Sequence, residues 1–173
     1  MTLQPWQQRL VVEVDGWIDL GCCEKALERL APLLQDEMTR EVGTGLRARA
    51  LVALGRHAEA VEDIAFLRRG GADPEWLDLT EAWCRKRLGD LEGAMRCMRD
   101  LLAREPRSAI GHYNLGCYLA LSGRLQEALD EVTVACGIDG TFRSHAVGET
   151  DLDALRGDPR FEGLLPMQPP RRD

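Results

Sequence analysis

Asp15 and Asp19 stand four residues apart in a run with helical periodicity, so their carboxylates share one face at one-turn spacing. Such a pair could hold a cation or a basic peptide; the plainer reading is a solvated acidic face. Little else in the chain has the spacing of a reaction centre. His57, His112 and His145 are each isolated from metal-ligand spacing. Gly43-Thr44-Gly45 lacks both the spacing and the lysine of a phosphate loop. No serine or cysteine can be assigned a base. The six cysteines, at 22, 23, 84, 97, 117 and 136, show neither paired zinc spacing nor the crowding of a disulfide scaffold. They read as small buried hydrophobes, with Cys22-Cys23 the candidate for an exposed, redox-active thiol. The expectation is a chain without catalysis, metal or cofactor.

Composition narrows the partners. A net charge of −7, from 22 basic and 29 acidic residues, argues against nucleic-acid binding, which needs a basic field over the phosphates. No run approaches 18 uninterrupted apolar residues, so no membrane span is expected. Met1 to Trp6 lacks the basic start and apolar run of a secretory signal, and the expected location is cytoplasmic. Arginine outnumbers lysine 20 to 2, the usage of a GC-rich, bacterial genome rather than a functional signal.

The elements that must position any binding residue are visible as a period. Gly21, Gly55, Gly89 and Gly123 fall 34 residues apart, and Ala26, Ala60, Ala94 and Ala128 follow each by five. This step is the signature of stacked helix–turn–helix units. The glycine ends a first helix, where a left-handed backbone costs it little, and the alanine lets the second helix approach closely. Four units result, at 7–40, 41–74, 75–108 and 109–142. Pro32 should kink or stop the second helix of the first unit, and Gly43 and Gly45 should soften the start of the second unit. Residues 143–165, with Leu152, Leu155, Phe161, Leu164 and Leu165, are expected to cap the last helix pair. Residues 166–173 are expected to be disordered.

In the last unit, Asn114-Leu115-Gly116 precedes Ala128, Val132 and Ala135, and unit three ends on Pro106. These residues and the 34-residue length resemble the tetratricopeptide repeat family. Departures are Leu119 for the usual tyrosine, Gly140 for the closing proline, and Glu13-Val14 for the leucine–glycine pair. The resemblance implies an all-α, right-handed α-solenoid of four tandem repeats plus short C-terminal capping helices. It further implies a concave groove lined by the first helices. There unit one would contribute Val11, Asp15 and Ile18; unit two Val42, Leu46 and Arg49; unit three Trp76, Leu79, Trp83, Lys86 and Arg87; unit four Tyr113 and Asn114. Family members that hold the carboxyl terminus of heat-shock chaperones carry a lysine–asparagine–arginine clamp on these positions. Val11, Asp15, Leu46, Trp76 and Thr80 do not make it. Nor do Gly45, Arg49, Thr80, Ile110 and Asn114, one unit on.

The function so implied is a protein–protein interaction module, an adaptor or scaffold holding a peptide or helix of a protein partner. The alternatives are a chaperone for a secreted or assembling client, a homodimer closed through the apolar groove, and, in another class, an enzyme with a closed polar pocket. One further expectation concerns packing. Glu13, Arg47 and Glu81 occupy equivalent positions of successive units, so alternating charge predicts a ladder with Arg47 between two carboxylates and Arg85 paired to Glu81.

Overall fold

The computed structural model describes residues 3–166. Among these residues every regular element is helical. The chain divides into two compact units, one up to Gly89 and one from Asp90.

The first unit contains α1 (Pro5–Asp19), α2 (Cys23–Arg29), α3 (Ala31–Gln35), α4 (Arg40–Ala53), α5 (His57–Gly70) and α6 (Pro74–Arg87). Helix α1 opens with proline in its first turn, where the missing N–H costs no hydrogen bond. The Gln4 N–H donates to Gln7 Oε1 at 2.7 Å, and the buried Gln7 donates in turn to Asp36 at 3.0 Å. Leu10, Val14 and Ile18, spaced four apart, put one stripe of α1 into the core beside Ala26, Leu30, Leu33, Leu46 and Ala50. Burying each such leucine or isoleucine contributes about 1.5–3 kcal/mol. Helix α2 does stop before Pro32, which has no N–H to bond back to the preceding turn, and α3 restarts at Ala31. Helix α4 runs unbroken through Gly43 and Gly45. At Gly43 the absent side chain lets α4 touch α3, since a Cβ there would lie 3.0 Å from Leu33 Cβ.

The second unit contains α7 (Leu91–Arg104), α8 (Ala109–Leu121), α9 (Leu125–Ile138) and α10 (Thr141–Gly148), then a 3-10 helix (Thr150–Leu155) and α11 (Pro159–Glu162). Asp90 caps α7 by accepting from the Gly93 N–H, and Ser108 caps α8 through the Gly111 N–H. Gly116 sets the spacing of α8 and α9, because a Cβ on it would meet Val132 Cγ2 at 2.6 Å. Leu152, Phe161 and Leu155 of the tail are buried, at 0–2% exposure.

The periodic glycines do what the spacing requires. Gly21, Gly55, Gly89 and Gly123 all have φ between 73° and 81°. After Gly21 the Cys22 N–H bonds to the Trp17 carbonyl at 2.8 Å; Arg56 to Leu51 and Arg124 to Leu119 repeat that closure. The four periodic alanines are fully buried. The period also runs one step further than the four units. Gly157, 34 residues after Gly123, has φ 88° and stands between the 3-10 helix and α11. The tail thus repeats the turn of a unit whose second helix is cut to a single turn.

The charge ladder does not form. Arg47 turns instead to Asp63 of α5, Glu13 lies 3.8 Å from Arg29, and Glu81 pairs with Arg68 and Arg85. Only its side pair, Arg85 to Glu81, is present as expected. Asp63 and Asp78 are buried and so draw the nearest arginines, Arg47 and Arg68, away from exposed carboxylates. The expectation of a disordered 166–173 falls, apart from Pro166, outside the described residues.

Candidate partner-binding cleft

Helices α4 and α6 wall an open apolar cleft of about 530 Å³ in the first unit. Val42, Gly45, Leu46 and Arg49 come from one side and Trp76 from the other, with Leu67 and Ala72 from the end of α5 and its loop. Glu41 of α4, Met38, half exposed just before α4, and Leu3 complete it. The spacing explains the geometry. Val42, Leu46 and Arg49 recur at helical steps of four and three, so one face of α4 looks into the cleft. Gly45 keeps the floor between them low. Trp76 enters near the start of α6, whose first turn is fixed by Pro74 and by Asp73 accepting from the Glu75 N–H at 3.1 Å.

Four of the expected groove residues, Val42, Leu46, Arg49 and Trp76, therefore come together. Arg49 is not free for a partner: it bridges α4 to α1 by bonding Asp15 and Asp19, the latter at 2.8 Å. The two carboxylates singled out for cation binding are thus engaged within the molecule. Val11 and Ile18 of α1 face the core, Ile18 with 9% exposure.

On α6, Leu79 is half-buried and Trp83 is 42% exposed. Lys86 Nζ and the Arg87 guanidinium lie 5.5 and 5.4 Å from the Trp83 ring, within cation–π range. In the second unit, Tyr113 is 5% exposed with its ring 4.7 Å from that of Phe142. Its hydroxyl has no hydrogen-bond partner among the described residues, and burial pushes its pKa up. Asn114 beside it is half-buried.

A second hollow of about 360 Å³ in the first unit is lined by Leu27, Leu34 and Leu51 and rimmed by the Arg47–Asp63 and Arg56–Glu59 pairs. Sequence reasoning missed it, because Asp63 lies on a second helix and outside the positions considered. Met38, Leu67 and Ala72 of the main cleft were missed for the same reason: Leu67 lies on a second helix, and Met38 and Ala72 lie in connecting segments. Among the described residues no group of histidine, cysteine and carboxylate side chains could hold a metal ion. No described helix is long and apolar enough to cross a membrane.

Comparison with known proteins finds one family profile and a shared fold. The tetratricopeptide repeat profile matches residues 79–141. No curated protein sequence matches the chain. Among solved structures, MamA (RS-1 ArsTM double mutant) superposes with a TM-score of 0.73 at 15% identity, covering 94% of this chain and 96% of that one. YrrB, described as a TPR protein with an unusual peptide-binding site, gives 0.66 at 14% identity over 90% of this chain and 84% of its own. At these identities the likeness is one of fold, an α-solenoid of helical repeats. Residues 79–141 thus match the tetratricopeptide repeat family, and the glycine turns of one period from Gly21 to Gly157 fit the helical-repeat fold that the solved structures share.

Proposed function

We propose that the chain is a non-catalytic protein–protein interaction module, an adaptor or scaffold, which holds a peptide or helix of a partner protein in the cleft between α4 and α6. The observation that carries this reading is the cleft itself: an open apolar trough that keeps Met38 49% and Val42 37% exposed beside Trp76. Exposed apolar surface gathered in one concavity marks an interaction site, whereas the same residues scattered would not. Its aromatic wall is of the kind that dominates interface energies. An enzyme would instead need convergent titrating groups in the cleft; the two charged residues lining it are Glu41 and Arg49, and Arg49 is engaged by Asp15 and Asp19. YrrB's description as a peptide-binding TPR protein agrees with this reading.

The test is affinity capture from the source cell with the intact chain and with Val42→Asp, whose side chain is exposed and can be changed without disturbing the core. A partner held by the intact chain and lost from Val42→Asp, with helical content unchanged, is the expected result. A partner that ignores Val42→Asp and Met38→Asp alike would place the interaction elsewhere.

A further inference from the structure

We infer that the cleft selects a basic, apolar segment of its partner, and that Glu41 reads the positive charge. This rests on the reading of the cleft as a partner-binding groove. Of the two charged side chains that line it, Arg49 is answered by both Asp15 and Asp19, which leaves that end with an excess of one negative charge. Glu41, at the other end, has no hydrogen bond or ion pair among the described residues.

Its setting also favours a positive charge beside it. The carboxylate lies over the carboxyl end of α5, where a Cβ added to Gly70 would meet its oxygens at 3.2 Å. The negative end of a helix dipole disfavours a carboxylate there. The neighbouring arginines do not answer it: Arg40, next to it in the chain, donates to the Leu34 carbonyl at 3.2 Å. Arg68 is bonded to Asp78 and Glu81, and Arg69 lies over the Phe66 ring. A lysine or arginine of a partner, with apolar neighbours seated on Val42, Leu46 and Trp76, would meet Glu41 and the α5 carbonyl end. The excess charge of the Asp15–Asp19 side favours a second basic residue at the opposite end. An acidic segment would face like charge at both ends of the trough. The net charge of −7 on the whole chain favours the same partner through long-range attraction.

A randomised library of 12-residue peptides, panned on the intact chain and on Glu41→Lys, tests this. The intact chain should enrich peptides that combine apolar residues with lysine or arginine, and Glu41→Lys should shift the enrichment toward aspartate and glutamate. A synthesised winner should lose about three- to fivefold in affinity on Glu41→Gln, the range of an exposed ion pair, and more on Glu41→Lys. It should also weaken as salt rises. Neutral or acidic winners, or winners indifferent to Glu41→Lys yet lost on Val42→Asp, would overturn the charge inference and leave the groove reading standing. Winners indifferent to Val42→Asp, or no enrichment at all, would overturn both. A chain that is dimeric by light scattering and becomes monomeric with Val42→Asp would show a second copy as the occupant, and would equally overturn the basic segment.

Discussion

Arg47 meets the carboxylate of Asp63 with two parallel hydrogen bonds, Nε to Oδ2 at 2.8 Å and Nη2 to Oδ1 at 2.5 Å. The pair ties α4 to α5, and its partners are unequally buried: the Asp63 side chain is 5% exposed and that of Arg47 is 41% exposed. That asymmetry yields a prediction. Arg47→Met strands a buried carboxylate and should cost about 3 kcal/mol of unfolding free energy. Asp63→Ala leaves an arginine that can swing into water, and should cost about 1 kcal/mol. Urea denaturation of the two variants checks the order; equal costs, or the reverse order, would show that Asp63 is better hydrated than its burial implies.

Gly116 gives a second prediction. Gly116→Ala forces a Cβ against Val132 Cγ2 and, at 3.1 Å, against the Ala128 carbonyl. Overpacking of this kind costs on the order of 1–3 kcal/mol. Val132→Ala removes the nearer obstacle, so the double variant should lose less stability than the two single losses added. Strict additivity would mean that the helices part instead of clashing.

Much of this architecture was legible because it rests on backbone constraints. Glycine at φ near 75–80° and alanine at 0% exposure leave one residue type each, and a fixed period exposes them. The period's last step, Gly157, escaped notice because its unit lacks the following alanine: Glu162 stands there. The cleft was legible in part. Val42, Leu46 and Trp76 stand at groove positions that the repeat resemblance implies, whereas Met38 and Ala72 reach it from connecting segments that obey no period. Charges were the least legible. Arg47 could reach several carboxylates, and burial of Asp63, invisible in sequence, decided which one it took.

The tail provides a third prediction. Phe161 is wholly buried although it belongs to the last described helix, α11. We take residues 143–165 as the cap of the second unit. Phe161→Ala should then cost about 3–5 kcal/mol, far more than its place near the end of the described chain would suggest. A melting temperature unchanged by Phe161→Ala would defeat the capping role.

Thiol chemistry provides a fourth. Cys22 is exposed, while the other five cysteines are buried. Burial raises Cys84 to a pKa of about 11, so at pH 8 roughly one thiol in a thousand is ionised even before access is considered. A chromogenic disulfide should therefore react quickly with one thiol per native chain and with the remaining five only on unfolding. Cys22→Ser should abolish the fast phase; a fast phase that survives it would place a second reactive cysteine at the surface.

Trp83 decides how far the binding surface extends. It follows Trp76 by seven residues, two turns along the same face of α6 and about 10 Å away. Its exposed ring touches Lys86 and Arg87 rather than a core cluster, so Trp83→Ala should change stability by less than about 1 kcal/mol. A partner segment long enough to run from the cleft along α6 would still use the ring as an anchor, and aromatic anchors carry about 2 kcal/mol or more. Binding of such a segment should therefore weaken by roughly thirtyfold on Trp83→Ala. Lys86→Ala, a rim charge, should cost it only a few-fold. A six-residue peptide confined to the cleft should ignore both changes. Calorimetry with the short and the long peptide separates the cases: if Trp83→Ala unfolds the chain, the ring is a packing residue, and if both peptides bind the variant unchanged, the surface ends at Trp76.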